Sequence, residues 1–158
     1  MANPNFIPLT GRIQNVRPFP DNCCSQMVTL RTENGPVQFV VTPETFVAGG
    51  RPLRPRMLAT FFYDSTLPVP LIQPPQYTAI AAAPLLPGQT AALAFFNEEL
   101  VAEDQSLQLN PGRGTAVFTA NGQRYACHPG NNLLLVYYQT TTRSLPPQTT
   151  PDKIFVLC

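Results

Sequence analysis

The sequence predicts an all-β protein built from two related small β-domains in tandem, each barrel-like (OB-like) or sandwich-like. Three observations predict it. The chain resembles itself in two halves, Asn-Gly pairs sit between alternating apolar runs, and prolines bound the apolar runs more than they interrupt them. Self-similarity is the first thing to seek in a sequence, because it decides architecture before any motif does.

The two copies show in order along the chain. Residues 28–35 (VTLRTENG) resemble 115–122 (TAVFTANG), and 58–64 (LATFFYD) resemble 133–139 (LLLVYYQ). Each of the latter runs leads through a Thr- and Pro-containing loop to Pro-Pro-Gln, at 74–76 and 146–148, and then to a short apolar strand at 77–83 or 153–157. The offset is 87 residues at Asn-Gly, 75 at the aromatic pair and 72 at Pro-Pro-Gln, which reads as duplication with most of loop 42–55 missing from the second copy. The expected organisation is a repeat over 1–83, a Pro/Gly-bounded linker over 84–89 and a second repeat over 90–158.

Within the repeats, Asn34-Gly35 and Asn121-Gly122 predict hairpins, since both central residues of the tight turn must accept positive φ. Residues 37–41 and 114–119 are rich in β-branched and aromatic types, as strands are. Pro is tolerated only at strand edges and ends, where these prolines fall. Residues 91–104 are good helix formers with Thr90 as an N-cap. Their counterpart at 11–16 reads as strand, so the repeat predicts strand, turn and a further strand at 106–110. Four or five short strands in 70–80 residues suit a small barrel or compact sandwich.

Composition excludes several roles. Only 12% of the 158 residues are charged, with a net charge of +1 and 19 prolines, against about 25% charged and about 5% Pro in average domains. So few cations argue against a nucleic-acid backbone as partner, since each phosphate contact uses Lys or Arg. No apolar run approaches the roughly 18 residues of a membrane span. Residues 1–12 lack the basic stretch and apolar core of a secretory leader, so synthesis in the cytoplasm is expected.

Cys23, Cys24, Cys127 and Cys158 follow no zinc spacing. Free cysteines are commonly buried as small hydrophobes, and neighbours on a strand face opposite ways, so Cys23 and Cys24 are expected one in and one out. The functional alternative is cross-linking between subunits.

Residues 142–151 (TRSLPPQTTP) after Val136-Tyr137-Tyr138, with 62–64 (FYD), 74–77 (PPQY) and 106–110 (SLQLN), resemble recurrent segments of uncharacterised proteins of spore-forming Gram-positive bacteria. In that group the segment sometimes precedes a domain similar to the N-terminal domain of copper amine oxidases. The resemblance implies a small β-domain of surface or envelope proteins, with no catalytic residues to carry over.

Chemistry is sparse. The only histidine, His128, adjoins Cys127, but neighbouring strand residues diverge, so a nucleophile–base pair is not expected there. Glu98, Glu99, Glu103 and Asp104 lack the alternating pattern of a calcium loop and read as a solvated turn. Residues 110–115 (NPGRGT) hold Gly-x-Gly without the lysine of a phosphate loop and read as a hairpin turn. No catalytic, metal-binding or cofactor-binding residue is expected, and no cofactor. The most cationic stretch carries Arg51, Arg54 and Arg56. On a barrel beside Phe61 and Tyr63 it would form a ligand loop, holding a single strand by charge and stacking, or else a Pro-stiffened surface loop.

Two functions follow. The first is a non-enzymatic structural protein that associates with itself at a spore or cell surface, adding its N-terminal arm, residues 5–10, to a neighbour's sheet and locking the contact through cysteines. Low charge favours this reading, since near-zero net charge promotes association. The alternative is a tandem OB-like module that binds a glycan or single-stranded nucleic acid.

Overall fold

A computed structural model describes residues 4–158; Met1–Asn3, the start of the stretch read for a leader, lie outside it. The protein is all-β: its only helical element among the described residues is a 3-10 turn at Ala48–Gly50. The chain divides into two compact units, Met1–Leu86 and Pro87–Cys158.

The first unit contains β1 (Phe6–Phe19), β2 (Asn22–Thr32), β3 (Gly35–Val41), β4 (Phe46–Val47), β5 (Leu58–Asp64), β6 (Gln76–Thr78) and β7 (Ala81–Pro84), in the sheet order β4-β7-β5-β1-β2-β3-β6. β1, β2 and β3 form a meander whose second turn is Glu33-Asn34, closed by the pair Thr32 and Gly35 with Gly35 at φ 107. Residues 76–84 close the sheet on itself. Their first part, β6, runs parallel to β3, and the Ala79 amide continues that ladder to the Val40 carbonyl at 2.9 Å. The Ile80 amide then switches to the Phe62 carbonyl at 2.8 Å, and β7 pairs antiparallel with β5. One segment thus completes a ring of β1, β2, β3, β6–β7 and β5, to which β4 adds by pairing parallel with β7. Inside it lie Ile13, Val28, Leu30, Phe39 and Phe61, all at most 2% exposed. Period-two alternation explains their spacing along β2 and β3.

The second unit contains β8 (Thr90–Phe96), β9 (Gln108–Leu109), β10 (Ala116–Thr119), β11 (Asn132–Tyr138), β12 (Gln148–Thr149) and β13 (Lys153–Val156). Residues 91–104 are strand followed by turn, as the repeat predicts, although their composition is helical. Local propensity is a weak prior that tertiary pairing overrides. The pairing scheme repeats that of the first unit: β8 with β11, β11 with β13, β10 parallel to β13, and β9 parallel to β12. Bridges Phe96↔Ala102 and Val101↔Gln108 replace β2. Individual hydrogen bonds correspond too. Gln38 N donates to Pro75 O at 2.8 Å and Gln108 N to Pro147 O at 2.8 Å. Phe46 N donates to Ile80 O at 3.0 Å and Ala116 N to Asp152 O at 3.1 Å.

This correspondence corrects three sequence expectations. The two Asn-Gly turns are both tight reversals but are not equivalent: Asn34-Gly35 joins β2 to β3, while Asn121-Gly122 follows β10, the counterpart of β4. The shortened part of the second copy is therefore the first hairpin, not loop 42–55. Strands of 14 and 11 residues in β1 and β2 stand where the second unit has the 7 residues of β8 and a bridged turn. Residues 110–115 are not a hairpin turn, because β10 runs parallel to β13 rather than back along β9. The arm 5–10 is also no free strand: Phe6↔Asp64 through Thr10↔Thr60 seat it against β5 of its own unit.

Candidate functional site

The loop joining β5 to β6, residues 65–75, begins at an anchored corner. Asp64 Oδ1 accepts from the Thr66 amide at 3.0 Å, the Thr66 hydroxyl at 2.7 Å and the Asn5 amide at 3.1 Å. Partial burial would raise the Asp64 pKa, but these hydrogen bonds outweigh it and hold the carboxyl below its ordinary value. Past this corner the loop is apolar and rich in Pro. Leu67, Val69 and Ile72 are 43–52% exposed, and Leu71 is wholly exposed. A groove of about 390 Å³ lies along it, lined by Val69, Leu71, Ile72, Pro75, Gln76 and Tyr77.

Tyr77 stacks on Tyr63, with ring centroids 3.8 Å apart and planes 11° from parallel. Phe39 continues the aromatic group inward, 5.9 Å from Tyr77 and stacked on Phe61 at 4.9 Å. Burial pushes the Tyr63 hydroxyl above the usual phenol range, and its interaction with Tyr77 adds to the rise. Burial alone raises Tyr138, which follows Tyr137 on β11 as Tyr63 follows Phe62 on β5.

The corresponding loop of the second unit, 139–147, has another character. Its groove of about 280 Å³ is lined by Asn110, Thr140, Thr141, Thr142, Gln148 and Thr149. The Thr149 hydroxyl donates to Thr140 O, and Thr142 and Gln148 exchange hydrogen bonds at 2.8 and 3.0 Å. Leu145, 97% exposed, is the apolar feature it shares with the first loop.

The ligand loop expected at Arg51, Arg54, Arg56, Phe61 and Tyr63 does not assemble. The three arginines are exposed, but Phe61 is fully buried and has no face for a ligand. Tyr63 is half-buried at the far end of β5 from Arg56, a separation of roughly 20 Å at the usual rise per strand residue. A strand places its ends apart however close they stand in sequence. Arg56 instead packs beside β1. Its amide donates to Ile13 O at 2.7 Å, and its carbonyl accepts from Arg12 Nη1 at 2.9 Å. On β1, Arg12 stands directly opposite Arg31 of β2. Sequence reasoning passed over Arg12 and Arg31, because only the register of the pairing brings them together.

All four cysteines are free and exposed, which overturns their reading as buried hydrophobes. Cys23 and Cys24 do not alternate inward and outward. Pro18 faces Gln26 while Phe19 faces Asn22, so residues 23–25 bulge from the strand pair. His128 Nε2 lies 2.7 Å from Glu98 O, a backbone contact with no thiol in it. Glu98, Glu99, Glu103 and Asp104 occupy exposed turns. No group of three or more His, Cys, Asp and Glu side chains able to hold a metal ion occurs among the described residues. Among the described residues, no helix is long and apolar enough to cross a membrane. Comparison with protein-family models and with curated proteins finds no match for the chain.

Proposed function

We propose that this chain is a non-enzymatic structural protein that associates with copies of itself through loops 65–75 and 139–147. The observation that carries the reading is the pair of fully exposed leucines, Leu71 and Leu145, on corresponding loops of the two units. Contiguous exposed apolar surface marks an interaction site in a soluble domain, and Leu67, Val69 and Ile72 extend it on the first loop. Prolines 68, 70, 74 and 75 stiffen that loop, so little conformational freedom is lost when it docks. A second copy is the occupant favoured by charge: at a net charge of +1, copies do not repel one another. Exposed thiols at Cys23, Cys24, Cys127 and Cys158 supply candidate cross-links. A spore- or cell-surface location belongs to the same proposal and rests on the family resemblance alone.

Size-exclusion chromatography with light scattering under reductant tests it. The expected result is a mass that rises with concentration and returns to the monomer in Leu71→Ser/Leu145→Ser. A strict monomer at high concentration, or an unchanged mass in the double variant, overturns it.

The closed strand order favours a second reading. A meander, a fifth strand parallel to the third and a fourth strand between fifth and first is the order of the five-stranded OB barrel, whose surface binds oligosaccharides and oligonucleotides. On this reading the chain is a tandem OB-like binding module. Titration calorimetry with glycans and single-stranded oligonucleotides tests it, and the absence of heat with every one of them removes it.

A further inference from the structure

We infer that Arg12, Arg31, Arg54 and Arg56 form a binding site for the sulfate or carboxylate groups of an acidic polysaccharide. The inference deepens the binding-module reading and is separate from the exposed leucine loops.

Arg12 and Arg31 are cross-strand partners, and both are exposed. Directly opposed residues on an antiparallel pair have their Cβ atoms about 5 Å apart, and like charges so placed repel. The loop carrying Arg54 and Arg56 is fastened beside them. Ile13 N donates to Met57 O at 2.8 Å, Arg56 N to Ile13 O at 2.7 Å, and Arg12 Nη1 to Arg56 O at 2.9 Å. Arg56 is held there at φ 74, a conformation a non-glycine residue seldom adopts. Among the described residues, no carboxylate pairs with Arg31, Arg54 or Arg56. The first unit's acids are engaged or placed elsewhere: Asp64 with Thr66 and Asn5, Glu44 with Thr42, and Asp21 between β1 and β2. Glu33, in the turn between β2 and β3, is the acid nearest Arg31 in sequence.

Arg12 and Arg31 on the strands, with Arg54 and Arg56 on the loop fastened beside them, outnumber the one acid near them in sequence, Glu33, and leave positive charge for an outside anion to neutralise. Their planar forks suit oxyanions, which they bind bidentately. A polysaccharide fits the surroundings better than a nucleic acid. Bases need aromatic faces to stack on, yet Phe61 is buried and Tyr63 lies at the other end of β5. The exposed neighbours Gln14 and Asn15 are instead uncharged hydrogen-bonding groups suited to sugar hydroxyls.

Calorimetry of the whole chain at low salt, with dextran sulfate, polygalacturonate, uncharged dextran and oligo-dT, tests the site. The expected result is binding of one or both acidic glycans, weakened by added salt, with none to dextran. Arg12→Gln/Arg31→Gln should bind about tenfold more weakly, while Arg113→Gln in the second unit binds as wild type. Because Arg12 also fastens the loop, Arg31→Gln alone provides a variant whose folding, read by thermal melting, stays intact while affinity falls. Binding unchanged in both variants overturns the site and leaves the module reading standing. No binding to either acidic glycan, or equal binding to dextran, overturns the site. Tighter binding to oligo-dT overturns the choice of a polysaccharide.

Discussion

Thr45 and Thr115 occupy the same place in the two units. The Thr45 hydroxyl donates to Ala79 O at 2.7 Å, and the Thr115 hydroxyl donates to Pro151 O at 2.6 Å. Each also accepts a backbone amide three residues earlier, from Thr42 and Gly112, both at 3.0 Å. Each threonine thereby fastens the turn before the short parallel strand to the closing segment. Thr45→Val and Thr115→Val keep the shape and delete both hydrogen bonds. Each should cost its own unit about 1–2 kcal/mol, read as a shift in urea midpoint. Unequal effects would argue that the two positions are not equivalent.

Gly11 lies in the middle of β1, where a Cβ would stand 2.1 Å from Arg31 O and 2.8 Å from Arg31 C. Backbone on a neighbouring strand cannot swing aside as a flexible side chain can. Gly11→Ala should destabilise the first unit by about 3 kcal/mol or more, while Gly114→Ala, whose Cβ meets nothing within 4 Å, should change little. Circular dichroism melts of the two variants check this.

Phe61 is a core residue stacked on Phe39, so truncating it removes packing rather than a ligand contact. Phe61→Ala should lose about 3–5 kcal/mol of stability. Tyr63→Phe should fold normally and lower the alkaline sensitivity of the first unit. The sign follows from the raised pKa of Tyr63: its contribution is complete below about pH 10 and is lost as pH rises through the higher folded value. A Phe61→Ala protein as stable as wild type would contradict the packing.

The Asp64 carboxyl, held below its ordinary pKa, works in the opposite sense. It stabilises the corner between Asn5 and Thr66 above about pH 4 and loses that effect as pH falls through the depressed value. Asp64→Asn should reduce the acid sensitivity of loop 65–75, seen as flatter pH dependence of amide exchange at Asn5 and Thr66. Equal acid sensitivity in variant and wild type would remove this role.

Four exposed thiols predict disulfide-linked species under mild oxidation, visible on non-reducing gels and dispersed by reductant. Cys23→Ser/Cys24→Ser should diminish these species more than Cys127→Ser alone, because two adjacent thiols are exposed together in an unpaired bulge. Oxidised protein that stays wholly monomeric would contradict the accessibility of these side chains.

Much of the fold was legible because particular residues leave few choices. Asn34-Gly35 marks the turn between β2 and β3, although only Gly35 takes positive φ and the residues between the paired Thr32 and Gly35 are Glu33 and Asn34, and the two Pro-Pro-Gln loops lead into corresponding closing strands. Equivalence was misread where similar letters do different jobs. Asn121-Gly122 attracted a match to Asn34-Gly35, whereas the true counterparts, Thr45 and Thr115, lie in dissimilar stretches. The site was less legible. Leu71 looks like any strand leucine until the loop is seen to hold it outside. Arg12 and Arg31 lie far apart in sequence, and meet only through a register set beside the bulge at Gln14.

The closing segment of each ring is also the last part of its unit to leave the ribosome. A nascent chain ending before residue 76 holds β1 to β5 but lacks the segment that pairs with both β3 and β5. Until then those two strands present open edges, the template on which foreign strands add. Completion joins Gln38 to Gln76, a contact between distant residues of the kind that slows folding. The same segment that finishes the ring therefore covers both edges at once, so a foreign strand would have to reach them before residues 76–84 arrive.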